Sequence, residues 1–187
     1  MPRPLPPSEL FDLGSFSHAD LFAGLKNCWE ALGKPLEEYV AARLAREIRG
    51  HVALGSYLVG DDIEIGEGTV VEPGAYSQGP AIIGKHREMR HAAYVRGQVV
   101  IGDGCVIGHA TEIKSAIVLD GAKAGHFAYI GDSILGNNVN LGAGTKLANF
   151  KLSGHEVVLS IDGERVRPAG DRGSGGGAAP IHARVHP

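Results

Sequence analysis

The chain has 187 residues, 43% of them hydrophobic, and a formal net charge of −3. This length suits one sizeable domain with appendages, and the charge lacks the basic excess typical of nucleic-acid binding. Two cysteines, Cys28 and Cys105, are too few for a disulfide framework and favour a reducing compartment. No segment is long and apolar enough to span a membrane, and the N-terminus lacks the apolar stretch of a secretory signal. We therefore expect a soluble cytoplasmic protein.

The first fifty residues divide into an arm and a helical region. Residues 1–16 are rich in proline and predict an extended arm. Ser17 then begins an S-x-x-D motif that resembles a helix capping box. Apolar residues at helical spacing follow on both sides of the break at Gly33-Lys34-Pro35. This pattern predicts a helical hairpin over 17–50, which we expect to cap the first coil of the next domain.

An aliphatic residue then recurs at every sixth position, with Ser77 as the only exception. The positions are Val59, Ile65, Val71, Ile83, Met89, Val95, Ile101, Ile107, Ile113 and Leu119. A helix repeats near 3.6 residues and a strand at 2, so neither explains this period. Hexapeptide periodicity is typical of a parallel β-helix, which we predict over 51–166, with a hairpin at its end around Asp162-Gly163. Residues 167–187 have no such period and are predicted to be disordered or a truncated end.

The repeat is interrupted after Leu119. Aliphatic residues are expected at 125 and 131, but these positions hold Gly125 and Gly131, and the pattern resumes at Leu135. The interruption is equivalent to a shift of two residues. Such shifts mark bulges or loops, and loops on a rigid scaffold often carry function.

Polar residues around this interruption are candidates for chemistry. A group of histidines could bind a metal, supply a general base or stack as a ladder at a solvated corner. Its members are His86, His91, His109 and His126. Arg96 and Lys114 occupy the same position of the repeat one coil apart, so they form either an anion site or part of a solvated corner. Asn138 suits a tight turn.

Three segments resemble one known family. They are Glu112-Ile-Lys-Ser, Gly125-His-Phe-Ala-Tyr-Ile-Gly-Asp, and Asn138-Val-Asn-Leu-Gly-Ala-Gly-Thr followed by Asn149. They resemble the acetyltransferase domain of bifunctional sugar-1-phosphate uridylyltransferase/glucosamine-1-phosphate N-acetyltransferases, in a stand-alone form without the nucleotidyltransferase domain. The resemblance implies a left-handed parallel β-helix that assembles as a homotrimer. It also implies transfer of an acetyl group from acetyl-CoA to an amino-sugar 1-phosphate, in nucleotide-sugar biosynthesis for the cell envelope.

The resemblance also assigns roles to individual residues. It implies that His126 is the general base and that no metal takes part. It further implies phosphate binding by Arg96, Lys114 and Tyr129, sugar binding by Asn140 and Asn149, and acetyl-CoA binding by Ala143. A family lysine just after Asn149 is not matched, although Lys151 and His155 lie nearby. The family continues with further coils that help to bind acetyl-CoA, so the aperiodic tail predicts an impaired donor site.

Three alternatives remain open from the sequence. The chain could hold a sugar phosphate or nucleotide sugar without acyl transfer, as the missing donor coils predict. It could be similar to the γ-class carbonic anhydrases, which share the fold and bind zinc through three histidines, although the histidine spacing matches that family poorly. It could also be a purely structural trimer.

Overall fold

The computed structural model describes residues 3–148, 158–166 and 181–182. Its main body is a parallel β-solenoid of about five coils, which confirms the fold predicted from the six-residue period. Each coil contributes one short strand to each of three parallel sheets, which we call faces I, II and III. Because each coil contains three strands and three corners, the chain points an aliphatic side chain inward once in every hexad.

Every strand of the solenoid belongs to one of these faces. Face I contains His51–Val52, Val70–Val71, Glu88–Met89, Val106–His109 and Lys123–His126. Face II contains Tyr57–Val59, Tyr76–Gln78, Tyr94–Arg96, Glu112–Lys114, Tyr129–Gly131 and Lys146–Leu147. Face III contains Ile63–Ile65, Ala81–Ile83, Val99–Ile101, Ala116–Val118, Ile134–Leu135 and Ile181–His182.

The aliphatic residues of the repeat fill the interior of the coil. Ile65, Ile83 and Ile101 stack on one another inside face III and are fully buried. Small residues such as Ala75, Ala93 and Cys105 occupy the inner corners, where the walls of the coil meet. A narrow core of this kind has no room for aromatic side chains, which agrees with an aromatic content of only 6%.

Two shortened corners, one in each of two successive coils, explain the interruption of the repeat. Glu112 pairs with Tyr94, three full hexads earlier, whereas Ala116 pairs with Val99, which is one residue short of three hexads. One residue is therefore lost at the corner of Ser115, where the backbone adopts a φ of 45°. The next coil loses one residue at the equivalent corner of Asp132, where φ is 48°. The inward positions after Ser115 are Val118, Ala124, Ile130, Leu135, Leu141 and Leu147. The interruption thus marks shorter coils in place of the expected bulge or loop, since Lys123–His126 and Tyr129–Gly131 continue the strands of faces I and II.

The predicted N-terminal helical hairpin is not confirmed. The described residues contain two α-helices, at Pro7–Leu10 and Lys34–Arg43, and two short 3₁₀ turns at Ala19–Phe22 and Cys28–Ala31. Asn27 and Glu30 form a capping box, but the turn that it starts ends after Ala31. The helix after Gly33 stops at Arg43, because the following residues pair with the edge of face III through the Arg49 amide and the Ile65 carbonyl.

Most of this N-terminal segment covers the side of the solenoid, and only Glu47–Arg49 pair with the open edge of its first coil. Phe22, Trp29 and Leu36 pack against the outer surface of face III, where Val100 and Ile117 are buried. Ala81–Ile83, Val99–Ile101 and Ala116–Val118 are therefore apolar on both sides, as in sheets that are covered on both faces. The proline-rich arm joins the same apolar cluster through Phe11 and Phe16.

Two features lie at the C-terminal side. Leu159–Ile161 and Glu164–Val166 form an antiparallel hairpin around Asp162-Gly163, which confirms the predicted turn. Ile181–His182 pairs with Ile134–Leu135 on face III, so these two residues depart from the prediction of a disordered tail. The rest of the tail lies outside the described residues. In the described part of the chain, no helix has the length and apolar character needed to cross a membrane.

Candidate active site

The corner between faces I and II carries a stack of rings. The rings of His91 and His109 are parallel within 12°, with centroids 5.7 Å apart, and Phe127 meets His109 edge-on at 5.0 Å. The Nδ1 atom of His91 lies 2.7 Å from the carbonyl oxygen of Pro73, and that of His109 lies 3.2 Å from the carbonyl oxygen of His91. Because a carbonyl can only accept, both Nδ1 atoms carry the proton. The ladder interpretation therefore holds for these two histidines, with Phe127 as the third member.

His126 takes a different position from its neighbour Phe127. It ends the strand Lys123–His126, pairs by its Cα with His109, and is exposed. Since Phe127 takes the next place in the stack of rings, the His126 imidazole stays accessible to a ligand. His86 lies between faces III and I, on another corner, and does not join this group.

The turn of the next coil lies directly beside His126. The Gly144 amide donates a hydrogen bond to the His126 carbonyl at 3.3 Å. The Thr145 hydroxyl donates one to the Gly142 carbonyl oxygen at 2.7 Å and so closes the turn. Ala143 is exposed at its tip, and no heavy atom lies within 4 Å of the Cβ positions of the two flanking glycines. The structure therefore brings Ala143 next to His126 and leaves open space around that turn.

Tyr129 projects from the outer surface of face II, three residues after His126. It is half-buried, and its ring lies over Gly131, where a Cβ would lie 2.7 Å from the tyrosine hydroxyl oxygen. The missing side chain at Gly131 thus makes room for the ring. By Cα pairing, Tyr129 stands between Glu112 and Lys146 on the adjoining strands.

Arg96 and Lys114 end two neighbouring strands of face II, but each already has a carboxylate partner. Arg96 Nη1 lies 2.5 Å from Glu112 Oε1, and Lys114 Nζ lies 3.2 Å from Asp132 Oδ2. Hydrogen bonding to Glu112, together with its charge, raises the pKa of Arg96. An anion at this place must therefore compete with two carboxylates. The sequence reasoning identified the cations and missed Glu112 and Asp132 as their partners.

The asparagines separate into different places. Asn140 is exposed and forms an isolated parallel bridge with Lys123, so it lies one coil beyond the strand that carries His126. Asn138 adopts a φ of 55°, in agreement with its predicted role in a turn. Asn149 lies outside the described residues.

Two further observations concern other possible sites. Among residues 3–148, 158–166 and 181–182, no three His, Cys, Asp or Glu side chains come together in a way that could hold a metal ion. A cavity of about 380 Å³ opens on the corner between faces III and I. Its lining is Leu10, Asp12, Ser15, Asp120, Gly121, Asn137 and Asn138. It is therefore separate from the corner that carries His126.

Comparison with known proteins identifies the type of domain. A family model described as the GMPPB C-terminal domain matches residues 77–167. The bifunctional sugar-1-phosphate nucleotidylyltransferase/acetyltransferase of Sulfurisphaera tokodaii is 38% identical over 55 residues, which cover 29% of this chain and 14% of that protein. The bifunctional protein GlmU of Methanococcus aeolicus is 31% identical over 148 residues, covering 76% of this chain and 36% of that protein. The chain fits a left-handed β-helix acetyltransferase domain.

This β-helix domain spans only a minor part of the length of both relatives, 14% in one and 36% in the other. A solved structure of an acetyltransferase candidate from Bacillus cereus is 21% identical, with a TM-score of 0.21, over 52% of this chain and 71% of that one. That likeness is too distant to bear on the candidate site.

Proposed function

We propose that this β-helix domain transfers an acetyl group from acetyl-CoA to the amine of a hexosamine 1-phosphate, and that it works as a homotrimer. The observation that carries the proposal is the position of His126. Its imidazole is exposed beside the open turn of Ala143. Tyr129 follows three residues later on face II, which also carries Arg96 and Lys114.

The reaction needs a base because an amino sugar is an ammonium ion near neutral pH. His126 accepts one proton from the ammonium group, and the freed amine nitrogen attacks the thioester carbonyl of acetyl-CoA. A nitrogen–carbon bond forms, the carbon–sulfur bond breaks, and coenzyme A leaves as its thiolate. One of the two protons still on the nitrogen passes to the thiolate or to solvent, and the other stays on the product amide. His126 releases its proton to solvent before the next turnover, so atoms and charge balance.

Different neighbouring residues bind each of the two substrates. Ala143 and the open turn around it leave room for the acetyl-CoA chain beside His126, because Gly142 and Gly144 add no side chains there. Arg96 and Lys114 bind the phosphate once it displaces Glu112 and Asp132, and Tyr129 contributes its hydroxyl to the same phosphate. Asn140 and Asn149 bind the sugar hydroxyls. Such fixed contacts hold the amine near the thioester and reduce the entropic part of the barrier.

The test is an acetyl-CoA turnover assay with glucosamine 1-phosphate and galactosamine 1-phosphate. We expect product with at least one sugar, and a loss of about 10²–10⁴-fold in kcat for His126→Ala. His51→Ala is the matched control, because His51 is an exposed histidine on face I away from this corner, and it should keep the full rate. No product with either sugar at high protein concentration would overturn the proposal. Light scattering tests the trimer.

A further inference from the structure

Lys146 is an exposed cation that lies beside the candidate acceptor site. It belongs to the strand Lys146–Leu147 at one end of face II, and its partner by Cα pairing is Tyr129. Leu147 is buried in the core of the coil, so Lys146, the adjacent residue of the strand, projects from the outer surface of face II. Lys146 and Tyr129 therefore leave the solenoid on the same surface, one strand apart.

The charge environment of Lys146 differs from that of the other two cations on this face. Arg96 is held by Glu112 at 2.5 Å, and Lys114 is held by Asp132 at 3.2 Å. In the part of the chain that the structure describes, no carboxylate forms an ion pair with Lys146. A phosphate group can therefore approach Lys146 without displacing a carboxylate, whereas at Arg96 and Lys114 it has to compete with one.

The position of Lys146 along the solenoid fits the covalent geometry of the acceptor. In glucosamine 1-phosphate and galactosamine 1-phosphate, the amine and the phosphate are attached to adjacent carbon atoms. The phosphate must therefore lie close to the amine that His126 deprotonates. Lys146 lies one strand from Tyr129 in the coil next to that of His126, or about 4.8 Å between backbones, whereas Arg96 lies two strands away, or roughly 10 Å.

We infer that Lys146 binds the phosphate group of the acceptor together with the Tyr129 hydroxyl, and that it contributes more to this binding than either neutralised cation. The inference rests on the proposed function, because it adds a substrate-binding residue to the same site. The other substrate anion, the diphosphate of acetyl-CoA, suits Lys146 less well. The pantetheine arm separates that diphosphate from the thioester by many bonds, whereas Lys146 lies only one coil from His126.

Calorimetry on the full chain tests this inference with glucosamine 1-phosphate, galactosamine 1-phosphate and acetyl-CoA. Lys146→Met removes the charge and keeps an apolar side chain. We expect it to weaken sugar-phosphate binding about tenfold, as for one hydrogen bond to a charged group, and to leave acetyl-CoA binding unchanged. Lys146→Arg keeps the charge and should retain most of the affinity. Lys85→Met is the matched control, because Lys85 is an exposed lysine on the corner between faces III and I.

A paired variant separates the contribution of Lys146 from that of a neutralised cation. Lys114→Met combined with Asp132→Asn removes one whole ion pair and leaves no bare carboxylate behind. The phosphate then loses a cation but no longer has to displace its partner. We therefore expect a smaller loss of sugar-phosphate affinity than for Lys146→Met, and a larger loss would overturn the inference.

Three other results would overturn the phosphate-binding role of Lys146. Lys146→Met could bind both sugar phosphates as tightly as the wild type, it could lose affinity for acetyl-CoA instead, or Lys85→Met could weaken sugar-phosphate binding equally. Acetyl transfer by Lys146→Met with an unchanged KM for the sugar phosphate refutes this inference alone. Lys146-dependent binding of a sugar phosphate without acetyl transfer refutes the proposed function and leaves the phosphate site. If the wild type binds neither sugar phosphate, both fail.

Discussion

The most exacting test of the packing concerns Arg87. Its side chain is fully buried at a corner position that other coils fill with Thr69, Cys105 and Ala122. One guanidinium nitrogen lies 2.9 Å from Asp103, while Nε and Nη1 are buried without a protein partner among the described residues. Removing the partner of a buried charge costs about 3–5 kcal/mol. Asp103 is 43% exposed, so water partly compensates, and we expect Asp103→Ala to cost about 3 kcal/mol.

Urea unfolding followed by circular dichroism measures this effect. For an m-value of about 2 kcal/mol per molar, the midpoint should fall by about 1.5 M. Arg87→Met combined with Asp103→Ala should recover most of the loss, because an apolar side chain needs no counter-charge. Asp61→Ala is the control, since Asp61 is 92% exposed in its ion pair with Arg46 and should cost less than about 1 kcal/mol. A loss below about 1 kcal/mol for Asp103→Ala, or no recovery in the double variant, would refute the reasoning.

The ion pair between Arg87 and Asp103 also predicts how the stability of the fold changes with pH. Burial raises the pKa of Asp103, but the Lys85 amide and the Arg87 charge outweigh it, so the pKa lies below its ordinary value. A carboxylate with a lowered pKa stabilises the fold above the pKa of the unfolded chain. That stabilisation is lost as the pH falls through the lowered pKa. The difference in the free energy of unfolding between the wild type and Asp103→Ala should therefore become smaller as the pH falls into the acid range.

Three further predictions follow from burial and close contacts. Gly108→Ala should destabilise the fold by about 2 kcal/mol or more in thermal unfolding, because its Cβ collides with the Gly125 carbonyl; Gly125→Ala meets nothing within 4 Å and is the control. Ile117→Ala should cost about 2–5 kcal/mol and expose residues 3–44 to limited proteolysis. Burial raises the pKa of Cys28 and Cys105 to about 11, so both thiols should resist a disulfide reagent at pH 8 until urea is added.

The solenoid could be predicted from the sequence because its core depends on local order. One inward residue in each hexad fixes the wall of each coil, so Ile65, Ile83 and Ile101 define the fold without knowledge of distant contacts. The loss of one residue from the later coils was harder to recognise. Leu119 kept the six-residue count, yet it packs outward against the N-terminal segment, and Val118 is the residue that points inward. A side chain that is apolar for either reason looks the same in the sequence.

In the N-terminal segment, by contrast, the local sequence pattern did not predict the structure. Helical spacing in 17–32 predicted a helix, but the apolar residues there serve two short turns, and long-range packing decides their conformation. Face III, against which this segment packs, could be recognised in the sequence. Its strands Ala81-Ile82-Ile83 and Val99-Val100-Ile101 are apolar at every position, as expected of strands covered on both sides.

The candidate site was predicted only in part, for a similar reason. Periodicity placed Arg96 and Lys114 on one line, and resemblance selected His126, whereas the partners Glu112 and Asp132 each lie about one coil further along the chain than the cation they bind. Whether a cation and a carboxylate on neighbouring coils meet depends on the direction in which each side chain projects from its strand. The spacing of Tyr57, Tyr76 and Tyr94, by contrast, was already close to one coil, and it could have indicated from the sequence that these residues lie side by side on face II.

The shortened corner at Ser115 connects these observations to the chemistry. It lies directly after Lys114, and it moves every later residue of the coil back by one position relative to the earlier coils. In a coil of three full hexads, position 127 would pair with His109. In the shortened coil His126 pairs with His109, and the Phe127 ring packs against the His109 ring. The exposed position of His126 beside the Ala143 turn is therefore a consequence of one missing residue on the far edge of face II. An insertion after Ser115 that restores the full coil should misplace His126 and abolish the proposed acetyl-CoA turnover without removing a single site residue.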